Sequence, residues 1–189
     1  SKGVIDDRQR STYSMYSMLP WDSPYDEEGK IVGNRSSSWV NSNSTNYLYE
    51  LQYNWSKYDS YAFNGNFDFD IYLTDWLTFS SVNSYRWSTH LDKSYSDPRT
   101  SGAEGKGRVS ESTSTNTRRY TNQLLKATRS FGDYHGFLML GYEFNDGEYR
   151  YHSSDGTGLV PGFAQLDITS TPESVGGNKY EWAVQSFFA

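Results

Sequence analysis

From Tyr61 onward the chain alternates: Tyr61, Phe63, Phe67, Phe69, Ile71 and Leu73 interleave with Ala62, Asn64, Asn66, Asp68, Asp70 and Tyr72. Successive side chains of a pleated strand point to opposite faces, so this segment predicts a strand with one greasy and one wet face. Thr74-Asp75-Trp76 predicts a tight turn. In the second strand, Leu77, Phe79, Tyr85 and Trp87 share one parity and Thr78, Ser80, Ser84 and Arg86 the other, with Ser81 and Asn83 interrupting the apolar side. A third strand from about Arg118 to Phe131 has no clear parity, because Tyr120 and Leu124 fall on one face and Leu125 and Ala127 on the other. Its register stays open, with a bulge as one explanation. Gly132-Asp133 predicts a second short turn. The fourth strand sets Tyr134, Leu138, Leu140, Tyr142 and Phe144 against His135, Phe137, Met139, Gly141 and Glu143.

These elements divide the chain into hairpins at 61–93 and 118–146, the start of a further strand at 181–189, and connecting regions at 1–60, 94–117 and 147–180. The first region carries turn formers, Leu19-Pro20-Trp21-Asp22-Ser23-Pro24-Tyr25 and Asp26-Glu27-Glu28-Gly29, and a Ser/Asn-rich tract in which Trp39 and Val40 point to an anchoring contact. Asp97-Pro98-Arg99 opens the second, which includes Gly102, Gly105 and Gly107. Short turns thus alternate with long loops, the layout of an outer-membrane β-barrel whose long loops are extracellular. Rings near the expected strand ends predict two aromatic girdles: Tyr61, Phe63, Tyr85, Trp87, Tyr142 and Phe144 at one end, Trp76, Phe79 and Tyr134 at the other. A soluble, secreted carbohydrate-binding β-sandwich with unequal loops would alternate in a similar way, and pattern alone leaves both open.

Composition sharpens the picture. The chain is 17% aromatic with a mean hydropathy of -0.82, so rings rather than Val, Ile and Leu carry the apolar area, which favours pleated surfaces over helical interiors. A net charge of -6 and a pI near 5.0 argue against nucleic acid, which needs a basic stripe. With Cys at 0 there is neither a disulfide framework nor a thiolate metal site. No apolar run approaches the roughly 20 residues of a spanning helix, and Ser1-Lys2-Gly3 does not begin a signal peptide, but a barrel strand crosses in about 9–11 residues and shows lipid only every second one.

Several segments are also similar to the SusC/RagA family of TonB-linked outer-membrane proteins. They include Leu19-Pro20-Trp21-Asp22-Ser23-Pro24-Tyr25-Asp26, Asn46-Tyr47-Leu48-Tyr49-Glu50-Leu51, Phe63-Asn64-Gly65-Asn66-Phe67 and Asp75-Trp76-Leu77-Thr78-Phe79. Tyr95-Ser96-Asp97-Pro98-Arg99, Arg118-Arg119-Tyr120-Thr121-Asn122-Gln123-Leu124-Leu125, Gly141-Tyr142-Glu143-Phe144, Gly158-Leu159-Val160-Pro161-Gly162-Phe163 and Glu181-Trp182-Ala183 belong with them. The resemblance covers nearly the whole chain but only a middle portion of the family's barrel, without a plug or TonB box. It implies an all-β antiparallel meander within a large transmembrane β-barrel of the bacterial outer membrane of Bacteroidetes-type bacteria. It further implies uptake of oligosaccharide or peptide cargo, a SusD-like surface lipoprotein as partner, contact with outer-membrane lipid, and energy from the TonB complex through the missing N-terminal part.

No catalytic site, cofactor or metal is expected. His90, His135 and His152 lack partners at triad or metal spacing and read as surface residues. Asp68 and Asp70 share a side of their strand, yet a wet barrel face supplies many such pairs, so they read as solvated lumen groups. Asp26-Glu27-Glu28-Gly29 reads as an acidic turn rather than a calcium loop. The glycines at 102, 105 and 107 lack the Gly-Lys-Ser/Thr of a phosphate loop. The best candidates for touching cargo or a partner are the loop rings Trp21, Tyr25, Trp39, Tyr47, Tyr49, Trp55 and Tyr151, which equally suit packing on one another.

Overall fold

The computed structural model describes residues 2–7, 16, 18–33, 39, 45–100 and 105–189, the first of these stretches by its backbone. They form one antiparallel sheet in the order β1 (Lys2–Asp7), β2 (Trp55–Thr74), β3 (Leu77–Ser96), β4 (Arg108–Phe131), β5 (Tyr134–Thr157) and β6 (Thr171–Phe188). Spatial order equals chain order, so the expected all-β meander holds. The sheet is open, with β1 and β6 at its edges. One short helix, α1 (Tyr47–Tyr53), lies in the connection before β2, and a 3-10 turn at Leu166–Ile168 in the one before β6.

Both short turns stand where the sequence puts them, at Asp75-Trp76 and Gly132-Asp133, the second with Gly132 at φ 62. The strands run well past the expected limits. β1 lies inside the region read as loop, β4 begins at Arg108, β5 continues to Thr157 and β6 begins at Thr171. The reason is visible in Ser110-Glu111-Ser112-Thr113-Ser114-Thr115: both faces are wet there, so no greasy parity marks the strand, which is held by its ladder of backbone hydrogen bonds. The girdle rings at Phe63, Tyr85, Trp87 and Phe144 therefore sit in mid-strand. Nor does β4 contain a bulge: its pairing is regular on both sides, and the irregularities fall at Tyr72/Thr74 and Asp155/Gly156. Its parity is blurred because Leu124 belongs to a second small apolar patch, in the row Ser80, Leu124, Gly141, Phe188.

Registers assign the two faces. On the face bearing Phe67, the half near the short turns is greasy, with rows such as Ile71, Phe79, Leu125, Leu140 and Leu77, Ala127, Leu138. Phe67 is 67% exposed and Leu138 56%, and no second layer covers them among the described residues. The other half of this face is charged and paired: Lys57 with Asp59, Lys93 with Glu111 at 2.6 Å, Arg119 with Asp146, Arg150 with Glu148, and Lys179 with Glu148 and Glu181. The border between the halves slopes. The last ring of this face on β2 is Tyr61, whose row reads Thr89, Thr115, Arg150, yet the last ring of the face on β5 is Phe144, so the border steps from 150 to 144 over three strands. The opposite border steps the same way, since Leu77 faces Ala127 while β4 runs on to Phe131. A rise of about 3.3 Å per residue over strand spacings of about 4.8 Å makes the slope roughly 55°.

Ser81 and Asn83 interrupt the greasy field beside Thr121 and Gln123, and the four satisfy one another. Asn83 Nδ2 donates to Ser81 Oγ at 2.8 Å and to the Phe67 carbonyl at 3.0 Å, Thr121 Oγ1 donates to Asn83 Oδ1 at 2.7 Å, and Gln123 Nε2 to Thr121 Oγ1 at 2.6 Å. The face bearing Asp68 is polar along most of β2, β3 and β4, with Asn64, Asn66, Asp70, Ser84, Arg86, Ser88 and Asn116.

Candidate functional site

At the loop end the chain builds a clasp. Tyr95-Ser96-Asp97-Pro98-Arg99 closes β3, and Asp97, 1% exposed, gathers the surrounding segments. Its carboxylate accepts from Arg99 Nε at 2.7 Å, Arg99 Nη2 at 2.8 Å, Tyr95 Oη at 2.9 Å and the Gly162 amide at 3.2 Å. Asn54 Oδ1 in turn accepts from the Asp97 amide at 2.9 Å and Thr100 Oγ1 at 3.1 Å. The Arg99 guanidinium lies 4.0 Å over the Tyr53 ring at the end of α1. Below, Tyr95, Val109 and Leu159 form a small buried core flanked by Trp55, Ala164 and Leu166. Burial pushes the Asp97 carboxyl up, but the bonds from Arg99 and Tyr95 outweigh it and hold the group well below the usual carboxylate range. Burial and the bond to Asp97 push the Tyr95 phenol up.

Beside the clasp, on the face bearing Asp68, lies a trough of about 470 Å³. Two adjacent rows build it, Ser56, Ser94, Ser110, Asp155 and Tyr58, Asp92, Ser112, Ser153, with Tyr151 added from the next row, Ser60, His90, Ser114, Tyr151. Small hydroxyl side chains make the floor. Tyr58 stands on one flank, its hydroxyl 2.5 Å from His90 Nδ1 and its ring stacked on that imidazole; Tyr151 stands on the other. Asp155 accepts from Ser110 Oγ, from Ser174 Oγ at 2.9 Å and from Arg108 at 3.3 Å, and these bonds, Ser110's first, lower its pKa against the effect of burial.

The seven ring candidates separate. Tyr151 lines the trough. Trp55 packs 5.7 Å from Tyr95 in the small core, Trp39 is fully buried, and Tyr49 sits edge-on to Tyr53 at 5.0 Å, where burial raises its pKa. Tyr47 is half-buried in the first turn of α1, which Asn46 caps while its amide holds the Pro24 and Val32 carbonyls. Trp21 and Tyr25 remain exposed, Tyr25 bridging to Ile31. Inside that bridge the Asp26 carboxylate accepts from the Glu28 and Lys30 amides, so it closes a turn. Val40 and Gly102 lie outside the described residues.

Sequence reasoning missed Tyr58, His90 and the serine floor. His90, expected beyond a strand end as a surface residue, stands inside β3 with Tyr58 as its partner. His135 bonds Ser130 at 2.8 Å beside the second turn. The available signal was the period-two set Ser110, Ser112, Ser114, which reads as loop unless hydroxyl parity is followed as closely as greasy parity. Comparison of the chain with models of known protein families, and with curated proteins, finds no match in either.

Proposed function

We propose that this chain is a stretch of barrel wall with its outer loops from a SusC/RagA-like, TonB-linked transporter of the bacterial outer membrane. On this reading it imports oligosaccharide or peptide cargo beneath a SusD-like lipoprotein and draws on the TonB complex through a plug elsewhere in the full protein. The observation that carries the reading is the division of the Phe67 face into a bare greasy field and an ion-paired field, with sloping borders. A lipid-facing wall needs such a band flanked by rings, and because barrel strands tilt by about 35–45° the borders of the band slope across them. The mutual satisfaction of Ser81, Asn83, Thr121 and Gln123 fits the same demand, since hydrocarbon offers polar groups no partner. A soluble sandwich would instead need a second sheet over Phe67 and Leu138.

Single-cysteine variants provide the test, the chain itself having Cys at 0. In intact outer membranes Phe67→Cys and Leu138→Cys should resist a water-soluble maleimide and yield to a membrane-dissolved one, while Arg150→Cys reacts in water. Recovery of the protein in the aqueous fraction, with Phe67→Cys labelled as fast as Arg150→Cys, would sink the proposal.

A further inference from the structure

We infer that the trough between Tyr58 and Tyr151 is a binding site for hydroxylated saccharide chains that carry amines, and that it turns away anionic ones. The inference rests on reading the Asp68 face as the wet interior. It deepens that reading by naming a site and a ligand charge.

The floor is unusual for a sheet. Ser94, Ser110, Ser112 and Ser153 sit at adjacent register positions on one face, where the opposite face carries Lys93, Glu111, Thr113 and His152. Short side chains let a ligand approach the backbone, and each hydroxyl both donates and accepts, as sugar hydroxyls do. Tyr58 on β2 and Tyr151 on β5 stand three strands apart, about 14 Å at the usual spacing, and frame the floor with apolar rings that can meet the C–H faces of sugars. The volume of about 470 Å³ lies within the roughly 300–1,000 Å³ of small-molecule sites.

Charge sets the preference. On the trough's own face Asp155 pairs with Arg108, whereas Lys57, Lys93 and Glu111 belong to the opposite face, where Lys57 pairs with Asp59 and Lys93 with Glu111. Asp92 lies near the middle, opposite Tyr58 and Ser112, exposed and with no ion-pair partner among the described residues. A bound ammonium would complete that pair; a bound carboxylate or sulfate would repel it.

Isothermal titration of the detergent-solubilised protein with three trisaccharides tests this: a β-1,4-linked glucosamine trimer, its N-acetylated form and a uronic acid trimer. The amine form should bind tightest, the neutral form about three- to tenfold weaker and the acid form weakest of all, as expected for one wet charge pair. Asp92→Asn should bring the first two together. Ser112→Tyr, which fills the floor, should remove binding, while Thr113→Tyr on the opposite face should not. Equal affinity for all three sugars, binding by none, or loss of binding in Thr113→Tyr as complete as in Ser112→Tyr would overturn the assignment. So would a lysine-containing tripeptide binding as tightly as the amine sugar, since charge alone would then be read. A protein that binds in this order but fractionates with the aqueous phase would defeat the barrel reading and leave the trough intact.

Discussion

Asp97→Asn isolates what the clasp contributes. Asparagine keeps the shape of the side chain but removes the charge, and it turns an NH2 toward a site where Arg99, Tyr95 and Gly162 all donate. Breaking a fully buried ion pair costs about 3–5 kcal/mol; Arg99 keeps 43% of its side chain in solvent, so the local cost should be about 2–3 kcal/mol. The loss should appear as loop opening rather than global unfolding, because the groups released belong to connections. Amide exchange reads it directly: the Gly162 and Thr100 amides, which donate within the clasp, should exchange about 30- to 150-fold faster. Acid should do the same to the wild type. The folded carboxyl titrates below its unfolded value, so its stabilisation is whole above about pH 4 and is lost as pH falls below that toward the folded pKa. Exchange at Gly162 unchanged by Asp97→Asn, once intrinsic rates are divided out, would refute this account of the loops.

Other consequences follow from packing. Asn83→Ala strands the Thr121 hydroxyl proton in the greasy field, Gln123 keeping its bond to Thr121 Oγ1, and should cost about 1–3 kcal/mol, whereas Asn83→Leu, Thr121→Val and Gln123→Leu together should be near neutral; urea midpoints in lipid vesicles would distinguish them. A Cβ on Gly147 would stand 2.6 Å from Trp182 Nε1, so Gly147→Ala should shift the indole from its place 5.5 Å from Arg118, change its fluorescence and cost about 1–3 kcal/mol. Ser80 Oγ is buried without a hydrogen-bond partner, so Ser80→Ala should leave stability equal or higher; a loss above about 1 kcal/mol in the same urea series would show a missed partner.

The fold was legible where one face of a strand is greasy. Phe67, Phe69 and Ile71 fixed the parity of β2, and Leu138, Leu140 and Tyr142 that of β5, in agreement with the register. Asp75-Trp76 and Gly132-Asp133 announced their turns. Legibility failed where both faces are wet, because Ser, Thr and charged residues carry no contrast for the eye to follow, and the outer halves of β4, β5 and β6 read as loop. The site went astray for the same reason. Rings drew attention as candidates, but Trp39, Tyr49 and Trp55 serve burial, while the trough is built from serines that look like loop until their strands are paired. The Asp97 motif was visible as a segment; its role was not, because Asn54, Tyr53 and Gly162 come to it from distant parts of the chain.

Length connects these observations. β4 and β5 have 24 residues each, and about 9–11 suffice to cross a membrane, so on the proposed reading more than half of each strand stands in water. A sheet wetted on both faces gains little from burial and depends on its ladder and on cross-strand pairs worth a few tenths of a kcal/mol to about 1 kcal/mol each. The cross-strand pairs Lys93–Glu111, Arg119–Asp146 and Lys179–Glu148 lie in that stretch, and the one buried core of the described residues, Tyr95, Val109 and Leu159, sits at its far end under the clasp. Strands fray from their free ends. On the proposed reading, placing the core and Asp97 there closes the end that a membrane would not hold, and keeps the serine floor beneath it in register.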